Sequence, residues 1–250
     1  MRKSYRELTE EIKTDGERLK LIAALGSSED LAYHYALICE DWAAGGKLLL
    51  ENSFDRHGEA GIVFLLERLR AFGAASKMGT SSEENAAAGT ATDTAYLAAK
   101  ILSQLRHRDF YAARAKELAA LLTARWDISD IALRRKQIIA LGWIGSESEI
   151  NLLIDSMQSD SDALCRAWAA AALMQLSFHG VAADVLREKT KAVFAAAIQK
   201  EGDLNAAGIM IEAAQTLFGK KWISAAAAEA AEPESIEKAR KSALRFLGKA

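Results

Sequence analysis

The chain has 250 residues, half of them hydrophobic, and its 32 basic side chains nearly balance 34 acidic ones, for a formal net charge of −2. Nucleic-acid affinity comes largely from neutralising phosphates, so this balance counts against a dedicated nucleic-acid binder. A single proline leaves little to interrupt helices, and two cysteines in apolar surroundings, Cys39 and Cys165, do not make a disulfide scaffold.

The opening MRKSYRELTEEIK turns acidic at once and lacks the apolar run of a signal peptide. No apolar stretch approaches the roughly 18 residues of a membrane span, so a cytoplasmic protein is expected. Helices are predicted over about 3–25, 29–50 and 56–73. The second carries Tyr33, His34, Tyr35, Asp41, Trp42 and Lys47. Tyr35 and Trp42, seven residues apart, share one face. Aromatics at helical spacing are either core or binding hot spots, and both residues are candidate partner contacts.

Segment 74–91 (AASKMGTSSEENAAAGTA) is the main irregularity, and its glycines and lysine lack the spacing of a phosphate loop. Helices follow at about 90–106 and 109–125. Between them, His107-Arg108-Asp109 spells a kinase catalytic triplet, but Arg114 stands where that loop requires asparagine. The triplet instead reads as a helix end with its basic groups near the last carbonyls. Helices are then predicted at 129–144, 147–158, 162–177, 181–200, 204–218, 221–231 and 234–248, the last admitting Pro233 at its first position.

Within this array the chain repeats itself. DIALRRKQIIALGWI from Asp130 lies over DALCRAWAAAALMQL from Asp162, which places Arg134 on Arg166 and Ala140 on Ala172. DLNAAGIMIEAAQTL from Asp203 is a third copy, and AKILSQL from Ala99 echoes AAALMQL from Ala170. Each unit is a helix ending in small apolar residues, a glycine stop and a new cap, as in Gly145 followed by Ser146-Glu147-Ser148-Glu149. Such helix pairs cannot bury their apolar faces alone, so neighbours must stack. No run alternates as a strand does.

ALGWIGSESEINLLIDSMQSDSDALCRAWAAAALMQL, from Ala140 to Leu176, resembles the HEAT-repeat family, including the short HEAT-like units of phycobilisome-lyase type. The resemblance implies an all-α, right-handed α-α superhelix, a HEAT/ARM-like solenoid of about five to six helix pairs over residues 1–250. The repeats are clearest over 127–217, and 234–248 is a terminal cap. It also implies that Asp130 and Asp162 open first helices, with Arg134 and Arg166 bonding within the stack. Second helices of such solenoids line a concave groove. Here they offer Glu149, Asn151, Asp155 and Gln158, then Asp184, Arg187, Glu188 and Lys191, a mixed surface suited to a protein ligand.

The histidines His34, His57, His107 and His179 fall in different repeats, and no HExxH or CxxC occurs, so no metal, cofactor or catalytic set is expected. The leading expectation is a non-enzymatic protein-binding scaffold or adaptor, a class that includes bacterial immunity and regulatory proteins, with no membrane partner and nucleic acid disfavoured. The alternative is a HEAT-like alkylbase DNA glycosylase, for which Trp126-Asp127, Arg134, Arg135 and Trp168 are the nearest raw material. A lyase-like role on a tetrapyrrole-carrying protein is implied only by the short-repeat resemblance.

Overall fold

A computed structural model of the chain describes residues 2–75, 97–98, 100–102, 109–124, 126 and 131–248, with side chains except at 72–75, 109–113, 132 and 133. The expectations for 76–91, for most of 90–106, for His107-Arg108, and for Asp127 and Asp130 lie outside the described residues. Among the described residues the regular structure is entirely helical. The chain divides into two compact units, 1–114 and 115–250.

In the first unit, the helix expected over 3–25 is two helices, α1 (Tyr5–Glu11) and α2 (Asp15–Gly26). Two capping boxes force the division. Ser4 Oγ accepts from the Glu7 amide while the Glu7 carboxylate returns to the Ser4 amide at 2.7 Å. Thr14 and Glu17 repeat the arrangement, with the Glu17 carboxylate 3.0 Å from the Thr14 amide. Serine or threonine followed three residues later by glutamate satisfies two orphan amides at once, which favours a fresh start over an uninterrupted helix. Next, α3 (Leu31–Ala43) begins at Asp30, whose carboxylate accepts from the Tyr33 amide at 3.0 Å. It stops well short of residue 50, because Gly45 and Gly46 turn the chain at φ +92° and +67°. A 3-10 helix (Leu50–His57) and α4 (Gly58–Ala75) follow.

The buried Asp41 carboxylate sets this turn. It accepts from Tyr5 Oη at 2.7 Å, from the Leu48 amide at 2.9 Å and from the Leu50 amide at 3.2 Å. Turning two amides two residues apart toward one carboxylate puts the intervening Leu49 at φ +56°, a left-handed conformation that ordinary side chains rarely adopt. Burial and the adjoining carboxylate raise the Tyr5 phenol well above its ordinary value, so it stays a donor.

The helix α5 (Asp109–Thr123) contains the division between units. The second unit comprises α6 (Ile131–Ile144), α7 (Ile150–Ser159), α8 (Ala163–Leu176), α9 (Ala183–Lys200), α10 (Leu204–Leu217), α11 (Ala225–Glu229) and α12 (Pro233–Leu247). The helix expected over 221–231 is reduced to the single turn and a half of α11. First helices α6, α8 and α10 pack side by side. The second layer is α7, α9 and α12, and the core between layers holds Leu141, Leu153, Leu173, Leu186, Phe194, Ile211 and Ile236. This is a two-layered stack of α-helix pairs.

The alanine-rich pattern is explained by the first layer. A methyl added at Gly142 would lie 2.7 Å from Ala172 Cα, and one at Gly208 would lie 3.1 Å from the Ala228 carbonyl oxygen. Only small side chains permit backbones to approach this closely.

Arginine pairs tie successive repeats together. Arg134 forks onto Asp160 at 2.8 and 2.9 Å, and Arg166 forks onto Glu201 at 2.7 and 2.9 Å. In both cases the acidic residue lies two positions before the aspartate that caps the next first helix. Asp160 also accepts from the Asp162 amide, and Glu201 from the Asp203 amide. Those aspartates in turn cap α8 and α10 through the Cys165 and Ala206 amides at 2.8 Å. Arg135 adds a second fork, onto Asp162 at 2.8 and 2.7 Å. The Glu201 carboxyl is buried, which raises its proton affinity, but hydrogen bonds from Arg166 and the Asp203 and Gly202 amides outweigh this and hold it below the usual carboxylate range. Arg240 of α12 closes the series, donating to the Ile198 and Glu201 carbonyls at 2.9 and 2.8 Å.

Candidate interaction surface

The residues singled out in the sequence are divided between the units. In the first, Tyr35 is only 4% exposed and packs edge-on against Phe54 and Phe64. It is a core residue, because its position on α3 faces the 3-10 helix. Trp42 is half-buried beneath Lys100, whose Nζ lies 3.7 Å from the ring centroid. The two aromatics on one predicted face are therefore used differently.

His34 and His57, expected to be separate, meet. His34 is fully buried, with Nε2 3.1 Å from the Leu50 carbonyl and Nδ1 2.8 Å from His57 Nε2. A carbonyl can only accept, so the proton is assigned to His34 Nε2, and His57 donates to His34 Nδ1. The pair packs against Phe54. Burial pushes the His34 imidazole down to about 4 and the His57 imidazole below its ordinary value.

In the second unit, Asn151 and Asp155 are exposed on α7, whereas Glu149 is committed to the Ser146 cap at 2.7 Å. Arg187 on α9 donates to the Leu217 carbonyl at 2.7 Å and to Asp184 at 2.9 Å. Lys191, one turn on, has its Nζ 5.8 Å from the Phe246 ring centroid. Arg187 is thus drawn to the end of α10, and Lys191 to the ring of Phe246 on α12.

The structure brings Trp222, which the sequence left as either core or contact, together with Lys220 and Phe246, which it did not single out. Lys220 Nζ lies 4.6 Å from the Phe246 centroid, and Trp222 lies 5.8 Å from it, ring to ring. No short-range pattern joins residues 191, 220 and 246; only the packing of α9, α10 and α12 does. Elsewhere in this unit, Trp143 is 37% exposed and stacks on His179 at 4.9 Å beside Phe178, which is 61% exposed.

The described residues among the raw material for base excision have structural partners. Trp126 donates to Ser156 Oγ at 3.2 Å, both arginines are held by carboxylates, and Trp168 packs against the core. Among the described residues no three His, Cys, Asp or Glu side chains converge as a metal site, and no helix is long and apolar enough to cross a membrane.

A family model of HEAT repeats matches residues 84–174. No curated protein and no solved structure matches the chain.

Proposed function

We propose, from the match of residues 84–174 to a model of HEAT repeats, that the protein is a non-enzymatic scaffold or adaptor that holds a protein partner on the second-helix face of its repeats. The observation that carries this reading is the second unit's division of labour. Its first helices are joined by arginine–carboxylate forks and close glycine–alanine contacts, while the second helices leave Asn151, Asp155, Gln158 and Glu188 exposed. A polar face on a stack of paired helices suits a protein surface, where anchors near the interface centre supply most of the energy and the polar rim supplies register. An immunity or regulatory role falls within this reading.

The test is affinity capture from native lysate with the full chain, read by mass spectrometry. An Asn151→Arg/Asp155→Arg variant is run alongside, its helicity and melting checked against wild type. A stoichiometric protein lost with the variant supports the scaffold. Recovery of nucleic acid alone, with base release from alkylated duplex DNA, would replace it with the glycosylase reading.

A further inference from the structure

Residues 50–57 are eight residues of 3-10 helix, a geometry with poorer hydrogen bonds than the α-helix and one that seldom extends past a turn. Positive φ brackets the segment, +56° at Leu49 and +59° at Gly58. Its place in the fold is therefore set by side chains. Asp41 pins the first end through the Leu48 and Leu50 amides at 2.9 and 3.2 Å. Buried Phe54 fills the middle, packed on Tyr35 at 6.3 Å. At the last end His57 is held by His34, which also bonds the Leu50 carbonyl.

The histidine pair admits one proton and not two. With both rings neutral, His34 Nε2 donates to the Leu50 carbonyl, and His34 Nδ1 accepts from His57 Nε2 at 2.8 Å. A first proton goes to His57 Nδ1, the ring nitrogen that neither bond uses, and both bonds survive. Asp55 favours that charge. A second proton has only His34 Nδ1 to bind. It sets one N–H against another across 2.8 Å, with two cationic rings 5.1 Å apart and one of them fully buried. The other carboxylates on the packed elements are engaged elsewhere or exposed. On α3, Asp30 caps the Tyr33 amide, Asp41 holds its two amides and Glu40 is exposed. In the segment, Glu51 pairs with Lys100 at 3.4 Å. On α4, Glu59 lies 3.8 Å from Arg114 and Glu67 is exposed. On α2, Asp15 pairs with Arg18 at 3.2 Å and Glu17 closes its own cap. Of the cations, Arg56 runs beside Gly26, Arg68 lies over the Phe64 ring at 4.9 Å, and Lys20 and Arg70 are exposed.

We infer that residues 50–57 form an acid-released latch: the His34–His57 pair holds the segment closed with no proton or one bound, and the segment opens about Leu49 and Gly58 when both imidazoles are charged. Opening returns both rings to water, where each takes its proton at roughly pH 6.5. The open form then binds two protons where the closed form binds one. Burial lowers the proton affinity of both rings in the closed form, that of His34 to about 4, which is the direction this asymmetry requires. Opening also bares Phe54 and the Tyr35 ring it covers, an apolar surface that the closed segment hides. The latch lies wholly in the first unit and does not depend on what the second-helix face of the repeats binds.

The experiment is hydrogen exchange of the full chain at pH 7, 6 and 5, read by mass spectrometry, each rate divided by that of unstructured peptide at the same pH. These conditions stay above the ordinary titration of carboxylates, roughly pH 4. Protection over residues 48–57 is expected to fall about tenfold between pH 6 and 5, the mark of a one-proton difference, while α8 and α10 keep theirs. A fall of about a hundredfold would mean that the closed pair takes no proton, and no fall that it takes two; either overturns the proposal. So does a loss spread evenly over the first unit. His34→Gln leaves one imidazole and is expected to make protection over 48–57 independent of pH. His57→Gln keeps an uncharged donor that can turn its oxygen to a protonated His34, so its fall is expected to be smaller than in wild type. An equal fall would show that burial of His34 alone sets the response and would remove the pair from the latch. Nitrogen NMR of the wild type requires no variant to fold. It is expected to show His34 protonated at Nε2 at neutral pH, with His57 charging first as pH falls; His34 protonated at Nδ1 would refute the latch geometry.

Discussion

Replacing Arg166 with leucine would leave the Glu201 carboxylate in place, its side chain 2% exposed, without the guanidinium that now grips both of its oxygens. The carboxylate would keep its hydrogen bond from the Asp203 amide. The Asp160 carbonyl would also lose the 2.7 Å bond from Arg166 Nη1. Removing one partner of a buried ion pair costs about 3–5 kcal/mol, because the remaining charge is stranded in a medium that solvates it poorly. For a unit of this size that corresponds to a fall of roughly 6–20 °C in Tm. Urea denaturation followed by circular dichroism at pH 7 gives the magnitude directly. Arg166→Leu/Glu201→Leu is expected to recover much of the loss, since it removes the stranded charge with its partner. A loss below about 1 kcal/mol in the single variant, or no recovery in the double, would refute the claim that these forks hold successive repeats together.

Three further outcomes follow from the same geometry. Gly142→Ala is expected to destabilise by about 1–3 kcal/mol although alanine is the better helix former, because its methyl would meet the Ala172 backbone at 2.7 Å; a denaturant midpoint at or above wild type would contradict this. Asp41→Ala should cost about 3 kcal/mol or more by orphaning the Tyr5 hydroxyl and two buried amides, read from the emission of Trp42, the one tryptophan before residue 115. The His34 imidazole has its folded pKa lowered to about 4 from an ordinary 6.5, so the unfolded chain binds the proton first. Stability of the first unit is therefore complete above pH 6.5 and falls by up to about 3 kcal/mol as pH drops toward 4, and His34→Phe should flatten that slope.

How far the sequence alone reached can be seen residue by residue. The all-helical class and the repeats of the second unit were legible because they are written at short range. Small apolar residues recur at helical spacing, and Asp162 and Asp203 open helices as caps, which they do in the structure. The Ser4–Glu7 and Thr14–Glu17 capping boxes are local patterns too, but the single helix predicted over 3–25 passed over both of them. The alignment of Arg134 with Arg166 marked two equivalent positions but could not name what they grip. Asp160 and Glu201 lie in the turns that close the second helices, just before the next repeat begins, and the interval to each is set by the length of the intervening second helix. Only the tertiary structure decided that Tyr35 is core while Trp42 is capped by Lys100, that His34 meets His57 across 23 residues, and that Lys191 and Lys220 both reach the ring of Phe246. The physical reason is common to all three. Helical periodicity fixes which residues share a face, but which face is covered, and by what, depends on elements tens of residues away whose packing no local pattern encodes.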